Sequence, residues 1–276
     1  MPGGRQRPQW GRRVMQPVHV ASARNLLRIV RDQTDAIGVA VSFGKDSLAT
    51  LALCCELFPR VEAYYLYRVR GLRVVQEWAD EVALRHGVTV RMYPHFDLSR
   101  CYRYAVLQPH WRGLHTVPRI KMADIELAFR ADADVDWIAY GWRRNDSFSR
   151  ALIMKQCGGL DVQAHRVFPL RAWRRMEVYQ FLGQSLIAPP PSLGRKEQGG
   201  LDFVRPALMW LRKYYPDDYA RWLVDFPFSG VMLDESYLRP QRPDMVQLSL
   251  GMIRSSSQLS ARGEERAVGE TIRAGP

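Results

Sequence analysis

The chain has few cysteines and no long apolar run. Its 276 residues include only Cys54, Cys55, Cys101 and Cys157, and no two of these form a CxxC pair. This spacing argues against a disulfide scaffold or a metal cluster and favours a reducing cytoplasm. No run of about 18 apolar residues is present, so the sequence predicts no membrane span. The basic N-terminus also lacks an apolar stretch long enough for a signal sequence. We therefore expect a soluble, cytoplasmic protein without a membrane partner.

Acidic residues are outnumbered by basic ones. The chain carries 28 acidic and 40 basic side chains, which gives a formal net charge of +12. A positive field concentrates anions near the surface, so nucleic acid or a phosphorylated small molecule is the favoured kind of partner. A hydrophobic content of 47% is enough to bury one α/β core with appended segments.

Both ends of the chain are rich in small, polar and charged residues. Residues 1–20 and 241–276 are rich in Gly, Pro, Ser, Arg and Gln. Such segments bury too little apolar surface to offset the entropy cost of ordering, so we predict flexible tails there, the first of them basic. Between them we predict a main domain over 21–188 and a small helical C-terminal extension over 189–240.

Strand-like and helix-like patterns alternate through the main domain. This alternation predicts an α/β fold, a doubly wound parallel sheet covered by helices on both faces. The predicted strands are Ile37–Val41, Val61–Tyr67, Val88–Tyr93, Asp136–Tyr140 and Arg166–Pro169. The predicted helices are Lys45–Phe58, Leu72–His86, Ile120–Arg130, Ser147–Gln156 and Arg174–Leu182.

A polar segment, Ser42–Ser47, separates the first predicted strand from the first predicted helix. Loops at the carboxyl ends of parallel strands form the ligand crevice of such a sheet. Gly44 permits close approach of the backbone, and the free amides at the helix start favour an anion. Lys45 adds a charged donor. The segment therefore fits phosphate binding, and an ordinary turn with Ser47 or Asp46 capping the helix is the alternative.

Two better-known phosphate loops do not fit this segment. A Walker loop needs four residues between its glycines and a hydroxyl directly after the lysine, whereas Asp46 separates Lys45 from Ser47. A dinucleotide-binding fingerprint needs three spaced glycines, which are missing here.

A second polar cluster follows the strand predicted at 136–140. Arg143, Arg144 and Arg150 supply guanidiniums that can form paired hydrogen bonds to phosphate oxygens. Because this cluster and Ser42–Ser47 both follow strands of one parallel sheet, we expect them to face one crevice. Taken alone, the cluster also fits a solvated basic turn with Asp146 or Ser147 as a helix cap.

Three motifs in order resemble one family. "SFGKDS" (Ser42–Ser47) resembles the SGGKDS-type loop of the PP-loop ATP pyrophosphatases, within them the phosphoadenosine phosphosulfate (PAPS) reductase-like group, with Phe43 replacing the first glycine. "IAYGWRRNDSFSRA" (Ile138–Ala151) resembles that group's Gly-x-Arg-x-x-[Asp/Glu]-Ser-x-x-Arg signature. "VFPLRAWRRMEVYQFL" (Val167–Leu182) resembles its Pro-Leu-x-x-Trp segment.

The resemblance implies an adenine nucleotide alpha-hydrolase-like, Rossmann-like fold that binds ATP and Mg²⁺. The implied reaction cleaves ATP between its α- and β-phosphates to adenylate an acceptor and release pyrophosphate. It implies catalytic roles for Lys45, Asp46 and Arg144, with Asp46 also holding the metal. The implied nucleotide contacts are Ser42, Phe43, Gly44, Lys45, Asp46, Ser47, Lys121, Gly141, Arg143, Arg144, Asp146, Ser147 and Arg150.

Three alternatives to adenylation stay open. Sulfonucleotide reductases of this group carry a nucleophilic cysteine in a C-terminal Glu-Cys-Gly-x-His-type segment, and the sequence has no cysteine after Cys157. We therefore rank a PAPS reductase below an adenylating enzyme. The second alternative is a nucleic-acid-modifying subunit, and the third is a non-catalytic nucleotide-binding module. The sequence does not identify the acceptor, and nucleic acid is one candidate.

Overall fold

The computed structural model describes residues 17–110, 116–185 and 200–234. The chain divides into two compact units, residues 1–229 and residues 230–276. The first unit contains the six strands and nine α-helices described below, and a 3₁₀ helix begins in it and ends in the second unit. Of the second unit, the structure describes residues 230–234. Within the described ranges, no helix has the length and apolar character needed to cross a membrane.

Six strands and nine α-helices form the described part of the chain. The strands are β1 (Ala36–Ala40), β2 (Arg60–Tyr67), β3 (Val90–Pro94), β4 (Ile138–Tyr140), β5 (Leu160–Asp161) and β6 (Arg166–Val167). The helices are α1 (Pro17–Arg31), α2 (Lys45–Leu57), α3 (Arg73–His86), α4 (Asp97–Arg103), α5 (Met122–Ala133), α6 (Phe148–Cys157), α7 (Arg175–Gln184), α8 (Arg205–Tyr214) and α9 (Pro216–Asp225). A 3₁₀ helix spans Pro227–Leu233.

The strands form one mostly parallel sheet in the order β3-β2-β1-β4-β6-β5. β1 pairs in parallel with both β2 and β4, and only β5 runs antiparallel, against β6. The chain first builds outward from β1 to β3 and then returns to the other side of β1 with β4. The order therefore reverses between β1 and β4, which is where sheets of this kind bind ligands.

Alternating residues of β1 explain how helices cover both sheet faces. Ala36 belongs to a buried cluster with Phe129 of α5 and Met154 of α6. A Cβ on Gly38, two residues along, would lie 2.4 Å from the Phe129 ring, so only glycine lets α5 pack this closely. Ile37, on the opposite face of β1, is fully buried. On that face α2 packs on β1 and contacts α1 and α7.

The structure confirms the doubly wound α/β fold and corrects several element boundaries. The expected tail over 1–20 is wrong from Pro17 onward, because α1 begins there and buries Ala23, Leu27 and Val30 against the domain. The strand expected to start at Val88 begins at Val90. The short helix α4 and the edge strand β5 had no predicted counterpart.

The predicted extension over 189–240 contains α8 and α9. The two helices contact each other, and α9 binds the start of α3 through Asp218, whose carboxylate accepts the amides of Arg73 and Val74, both at 2.8 Å. Tyr215 donates to Glu77 of α3 at 2.6 Å. Residues 1–16, 186–199 and 235–276 lie outside the described residues, so the tails predicted over 1–16 and 241–276 stay predictions, as do the parts of the extension at 189–199 and 235–240.

Candidate functional site

The segment Ser42–Ser47 forms a tight turn between β1 and α2. The Ser47 hydroxyl donates to the Gly44 carbonyl at 2.9 Å and accepts the Ser42 amide at 3.1 Å. Gly44 is the N-cap of α2 and offers no side chain, so the first amides of the helix are not capped. A helix start of this kind favours an anion.

Phe43 anchors this turn in the core. Its backbone adopts a left-handed conformation, with φ of 54°, and its ring is buried. The ring centroid lies 4.9 Å from that of Tyr65 and 5.6 Å from that of Trp78. Aromatic packing therefore offsets the cost of a left-handed backbone at a residue other than glycine.

Gly141, directly after β4, lets the second turn reach the first. A Cβ at this position would lie 2.7–2.8 Å from backbone atoms of Asp46 and Ser47. Real Cβ atoms do not approach a backbone that closely, so any larger residue would push the two turns apart. The glycine of the second motif thus serves close packing at the point where the strand order reverses.

Five charged side chains of alternating sign connect the two turns. Buried Lys45 forms an ion pair with Asp46, and Asp46 Oδ1 lies 3.0 Å from Arg143 Nε. Arg143 also pairs with Asp146 at 2.7 Å, and Asp146 pairs with Arg150 at 2.9 Å. Hence the structure brings together residues that lie about 100 positions apart in the sequence.

The ion pair between Asp46 and Arg143 is not a hydrogen bond in this state. Asp46 Oδ1 and Arg143 Nε are both buried from solvent, and neither meets the geometry of a hydrogen bond among the described residues. Buried polar atoms of this kind are costly unless another group satisfies them. Each atom therefore has the other as its ionic partner, and neither makes a hydrogen bond among the described residues.

A cavity of about 570 Å³, which we call the central cavity, opens between the two turns. Its polar lining residues include Ser42, Ser47, Asp46, Asp146 and Arg150, and its apolar lining residues include Leu66, Phe96, Met122 and Trp142. An adjoining cavity of about 490 Å³ shares Asp46, Asp146 and Arg150 with it. Five cations and two carboxylates line this adjoining cavity, namely Lys45, Arg143, Arg150, Arg174, Arg175, Asp46 and Asp146.

Five of the predicted site residues do not line these cavities, namely Phe43, Gly44, Lys121, Arg144 and Ser147. Arg144 follows Arg143 in sequence, but it lines a separate pocket with Lys155 and Arg171, and its amide donates to the Arg171 carbonyl at 3.1 Å. The geometry thus places Arg143, rather than Arg144, against Asp46. Lys121 is exposed at the N-cap of α5, and its neighbour Met122 lines the central cavity instead.

Ser147 is a helix cap, which is one of the two roles that the sequence allowed. Its side chain caps α6 by accepting the Arg150 amide at 3.3 Å. Arg150 in turn lies over the Trp142 ring, with its Cζ 4.9 Å from the ring centroid. The cap and the cation–π contact hold Arg150 at the cavity.

The structure adds His95 to the site, which the sequence analysis missed. His95 lies directly after β3 and lines the central cavity. Its Nδ1 accepts the Asp97 amide at 3.1 Å, which leaves the proton of the neutral ring on Nε2. Burial, with Arg68 nearby, lowers the pKa of His95 to about 4. The signal in the sequence was its position at the carboxyl end of a predicted strand.

A buried hydrogen-bond chain also supports the cavity wall. The hydroxyls of Tyr64 and Tyr140 lie 2.9 Å apart, and Tyr140 donates to the buried carboxylate of Glu126. Arg166 donates to Glu126 at 2.7 and 3.2 Å, which pairs the buried charge. Burial raises the pKa of Tyr140, with the Tyr64 and Glu126 charges adding to it. Both tyrosines line the central cavity, so this chain fixes the end of β4.

None of the four cysteines lines either cavity. Burial raises the pKa of Cys54, of Cys101 and of Cys55, the last to about 11. A thiol with a raised pKa is a poor nucleophile near neutral pH, because the thiolate is the reactive form. Cys157, at the end of α6, is half-buried and is likewise not a lining residue.

The donor set around Asp46 fits a Mg²⁺ ion held mainly by phosphates. Among the described residues no group of three His, Cys, Asp or Glu side chains is arranged to hold a metal. Mg²⁺ bound with a nucleotide needs only one or two protein carboxylates. Asp46, whose buried Oδ1 makes no hydrogen bond among the described residues and which has Asp146 on the same cavities, meets this requirement.

Comparison with known proteins identifies the family. No curated protein sequence matches this chain. Among solved structures, the crystal structure of phosphoadenylyl-sulfate (PAPS) reductase from Candida auris in complex with phosphate matches at 12% identity and a TM-score of 0.44. The match covers 64% of this chain and 88% of that one. The model of the phosphoadenosine phosphosulfate reductase domain matches residues 36–195, which is more than half of the chain. The chain therefore belongs to this domain family, within the PP-loop, adenine nucleotide alpha-hydrolase-like superfamily.

Proposed function

We propose that the chain binds Mg-ATP in the central and adjoining cavities and transfers its adenylyl group to an acceptor, releasing pyrophosphate. The observation that carries the proposal is the meeting of Lys45, Asp46 and Arg143 beside the uncapped start of α2, with cations and carboxylates lining the adjoining cavity. The apolar side of the central cavity suits a purine, and the cation-rich adjoining cavity suits a triphosphate.

The residues of the first turn would stabilise the leaving group. In the reaction an acceptor nucleophile forms a bond to the α-phosphorus, and the bond from that phosphorus to the bridging oxygen of pyrophosphate breaks. Negative charge then grows on the departing pyrophosphate. The uncapped amides at the start of α2 and the ammonium of Lys45 would stabilise that charge. Arg143 and Arg150 would orient the phosphates through paired hydrogen bonds.

Asp46 would hold the Mg²⁺ that accompanies the nucleotide. In the absence of ligand, Lys45 and Arg143 neutralise this carboxylate. Phosphate oxygens offer both cations a new partner and leave Asp46 free for the ion. Bound Mg²⁺ supplies charge neutralisation to the phosphates.

The cysteine positions favour adenylation over sulfonucleotide reduction. A reductase of this family needs a reactive thiol at the nucleotide, and no cysteine of the chain lines either cavity. The raised pKa values of Cys54, Cys55 and Cys101 further reduce their nucleophilicity. Sulfonucleotide reduction therefore ranks second and is the alternative outcome of the tests.

Titration of the protein with Mg-ATP tests the site directly. Lys45→Ala and Asp46→Asn should each weaken binding at least tenfold, which corresponds to about 1.4 kcal/mol. Arg212→Ala, an exposed cation on α8, is the control and should bind as the parent protein does. Thermal unfolding establishes that each variant is folded. Unchanged affinity in both site variants would contradict the proposed site.

A further inference from the structure

A third pocket is lined by Arg144, the residue that follows Arg143 in the turn after β4. This side pocket has a volume of about 440 Å³ and lies between α6 and the segment that follows β6. Three cationic side chains line it, together with small and apolar ones. The lining residues are Arg144, Lys155, Arg171, Ala151, Met154 and Ala172. It shares no lining residue with the central or the adjoining cavity.

Arg171 is built into this pocket. Its side chain crosses the turn that ends α6, where Gly158 and Gly159 both have positive φ. A Cβ on Gly159 would lie 2.3 Å from Arg171 Cδ and 2.9 Å from its Nε, so the turn leaves room for this side chain. Arg171 Nε is buried and has no hydrogen-bond partner within the described ranges. The Nε end of the side chain is thus held against the turn, and Arg171 also lines the pocket.

No carboxylate lines the side pocket. The ion pairs among the described residues include none formed by Arg144, Lys155 or Arg171. Three like charges around one pocket repel each other, and the adjoining cavity differs in this respect because two carboxylates balance its cations. An anion in the side pocket would relieve the repulsion. Guanidinium groups favour the oxygens of phosphate in particular.

Exposed apolar side chains lie on the same helix as the pocket. Phe148, at the start of α6, is 86% exposed, and Leu152 one turn later is 47% exposed. On a helix, Phe148 and Leu152 lie beside Ala151 and Lys155, which line the pocket. An exposed aromatic ring beside a cationic pocket is the combination that binds a nucleobase and its phosphate together.

We propose that the side pocket binds a phosphodiester of a polynucleotide, with Phe148 as a stacking surface for a base. The two adjacent arginines would then bind different ligands. Arg143 contacts Asp46 in the proposed ATP site, and Arg144 lines the pocket proposed for the polynucleotide. The further idea that this polynucleotide is the adenylyl acceptor rests on the proposed function. The binding itself does not, and it can be measured without ATP.

Fluorescence anisotropy with a labelled single-stranded oligonucleotide of about 16 nucleotides tests the proposal. The full chain is titrated without ATP. Arg144→Ala combined with Lys155→Ala should weaken binding at least tenfold. Arg212→Ala combined with Lys213→Ala, on exposed positions of α8, removes the same charge from elsewhere and should weaken it less than twofold. This control separates a local site from the general attraction of a basic protein.

Salt dependence and the aromatic ring give independent readouts. The slope of log affinity against log salt should fall by about 0.7 in the pocket variant, because the pocket holds one phosphodiester and each single-strand phosphate contact contributes about 0.7. Phe148→Ala should weaken binding about fivefold or more with an unchanged slope, since stacking involves no counterion. Its side chain is largely exposed, so the variant should fold.

Three results would overturn the proposal. One is an equal loss of affinity in the pocket variant and in its charge-matched control. Another is an oligonucleotide affinity that neither Phe148→Ala nor the pocket variant changes. The last is a pocket that binds inorganic phosphate, seen by calorimetry at constant ionic strength and abolished in the pocket variant, while oligonucleotide binding is unaffected. A failure of ATP binding alone leaves each of these measurements interpretable.

Discussion

At the scale of single residues, Arg143 and Arg144 illustrate what a motif can and cannot predict. The motif indicated a basic turn after the fourth strand, and the structure does place that turn beside Ser42–Ser47. Sequence gave no means to decide which arginine faces Asp46, because the direction of each side chain depends on how the turn is packed. Gly141 and the Arg144 amide, bonded to the Arg171 carbonyl, set that direction.

The different positions of the two arginines predict different effects on ATP binding. Arg143→Ala should weaken Mg-ATP binding at least tenfold, because it removes a cation that contacts Asp46 in the adjoining cavity. Arg144→Ala should cause a clearly smaller loss. Calorimetric titration of both variants checks the order, and a larger effect at Arg144 would contradict our assignment of the cleft.

Gly141 offers a test of the close packing between the two turns. Gly141→Ala places a Cβ within 2.7–2.8 Å of the backbone of α2, so the turns must separate. We expect a loss of about 1–3 kcal/mol in the free energy of unfolding, together with weaker ATP binding. Gly183→Ala is the matched control, because Gly183 lies within α7 and its added Cβ meets nothing within 4 Å. That variant should be unchanged or more stable in urea unfolding. Equal behaviour of the two variants would refute the packing argument.

His95 predicts how stability depends on pH. Its folded pKa of about 4 lies below the unfolded value of about 6.5, since burial and Arg68 disfavour its charged form. The unfolded state therefore binds more protons between these values, and the free energy of unfolding falls as pH falls through them. Asp97 and Asp202 oppose the shift only in part.

Substitution of His95 by asparagine isolates this contribution. The asparagine oxygen can replace Nδ1 as acceptor for the Asp97 amide, but it does not titrate. Urea unfolding at about pH 7 and about pH 4.5 should show a smaller acid-induced loss of stability in His95→Asn than in the parent. His86, whose pKa burial also lowers, is present in both proteins and cancels in the comparison. A loss of equal size in both would rule out His95 as the group responsible.

At the scale of elements, the pattern predicted the helices and strands that follow simple periodicities and missed those that depend on context. Strands β1 and β2 and helices α2 and α3 match their predictions to within three residues. Helix α1 has no predicted counterpart, because the basic, Pro-containing start of the chain favours a flexible tail up to residue 20. Apolar residues nevertheless recur at helical spacing from Val20 onward. β5 has only two residues and forms by pairing with β6, which no local pattern indicates.

The contact between α9 and α3 predicts a stability effect across elements. Asp218 is buried and caps α3 by accepting two of its first amides, although it belongs to a helix more than 140 residues away. Asp218→Ala should lower the free energy of unfolding by about 1–2 kcal/mol, as loss of a helix cap does. Asp217→Ala, at the exposed neighbouring position in the same turn of α9, should have little effect. Urea unfolding of the pair gives the answer, and equal stability of both variants would contradict the capping role.

At the scale of the whole molecule, the sheet topology explains why two distant motifs form one site. The alternating pattern predicted a parallel sheet, and a parallel sheet places all strand ends at one edge, so the meeting of the two turns followed from the sequence. The hydrogen-bond chain of Tyr64, Tyr140 and Glu126 could not be predicted from the sequence. These residues lie in three separate elements, and each one alone has the pattern of a core residue. The net charge of +12 suggested anions as partners without indicating that cations would divide between two separate pockets.

Parallel assays of ATP and PAPS test the central claim most directly. The protein is incubated with Mg-ATP and, separately, with PAPS and a thiol reductant, and pyrophosphate and sulfite are measured together with adenylated products by mass spectrometry. Our account predicts pyrophosphate release from ATP that Asp46→Asn abolishes and that Cys101→Ser combined with Cys157→Ser leaves intact, because no cysteine lines the cavities. Sulfite release from PAPS that disappears with either cysteine substitution, without pyrophosphate from ATP, would contradict it and establish a reductase.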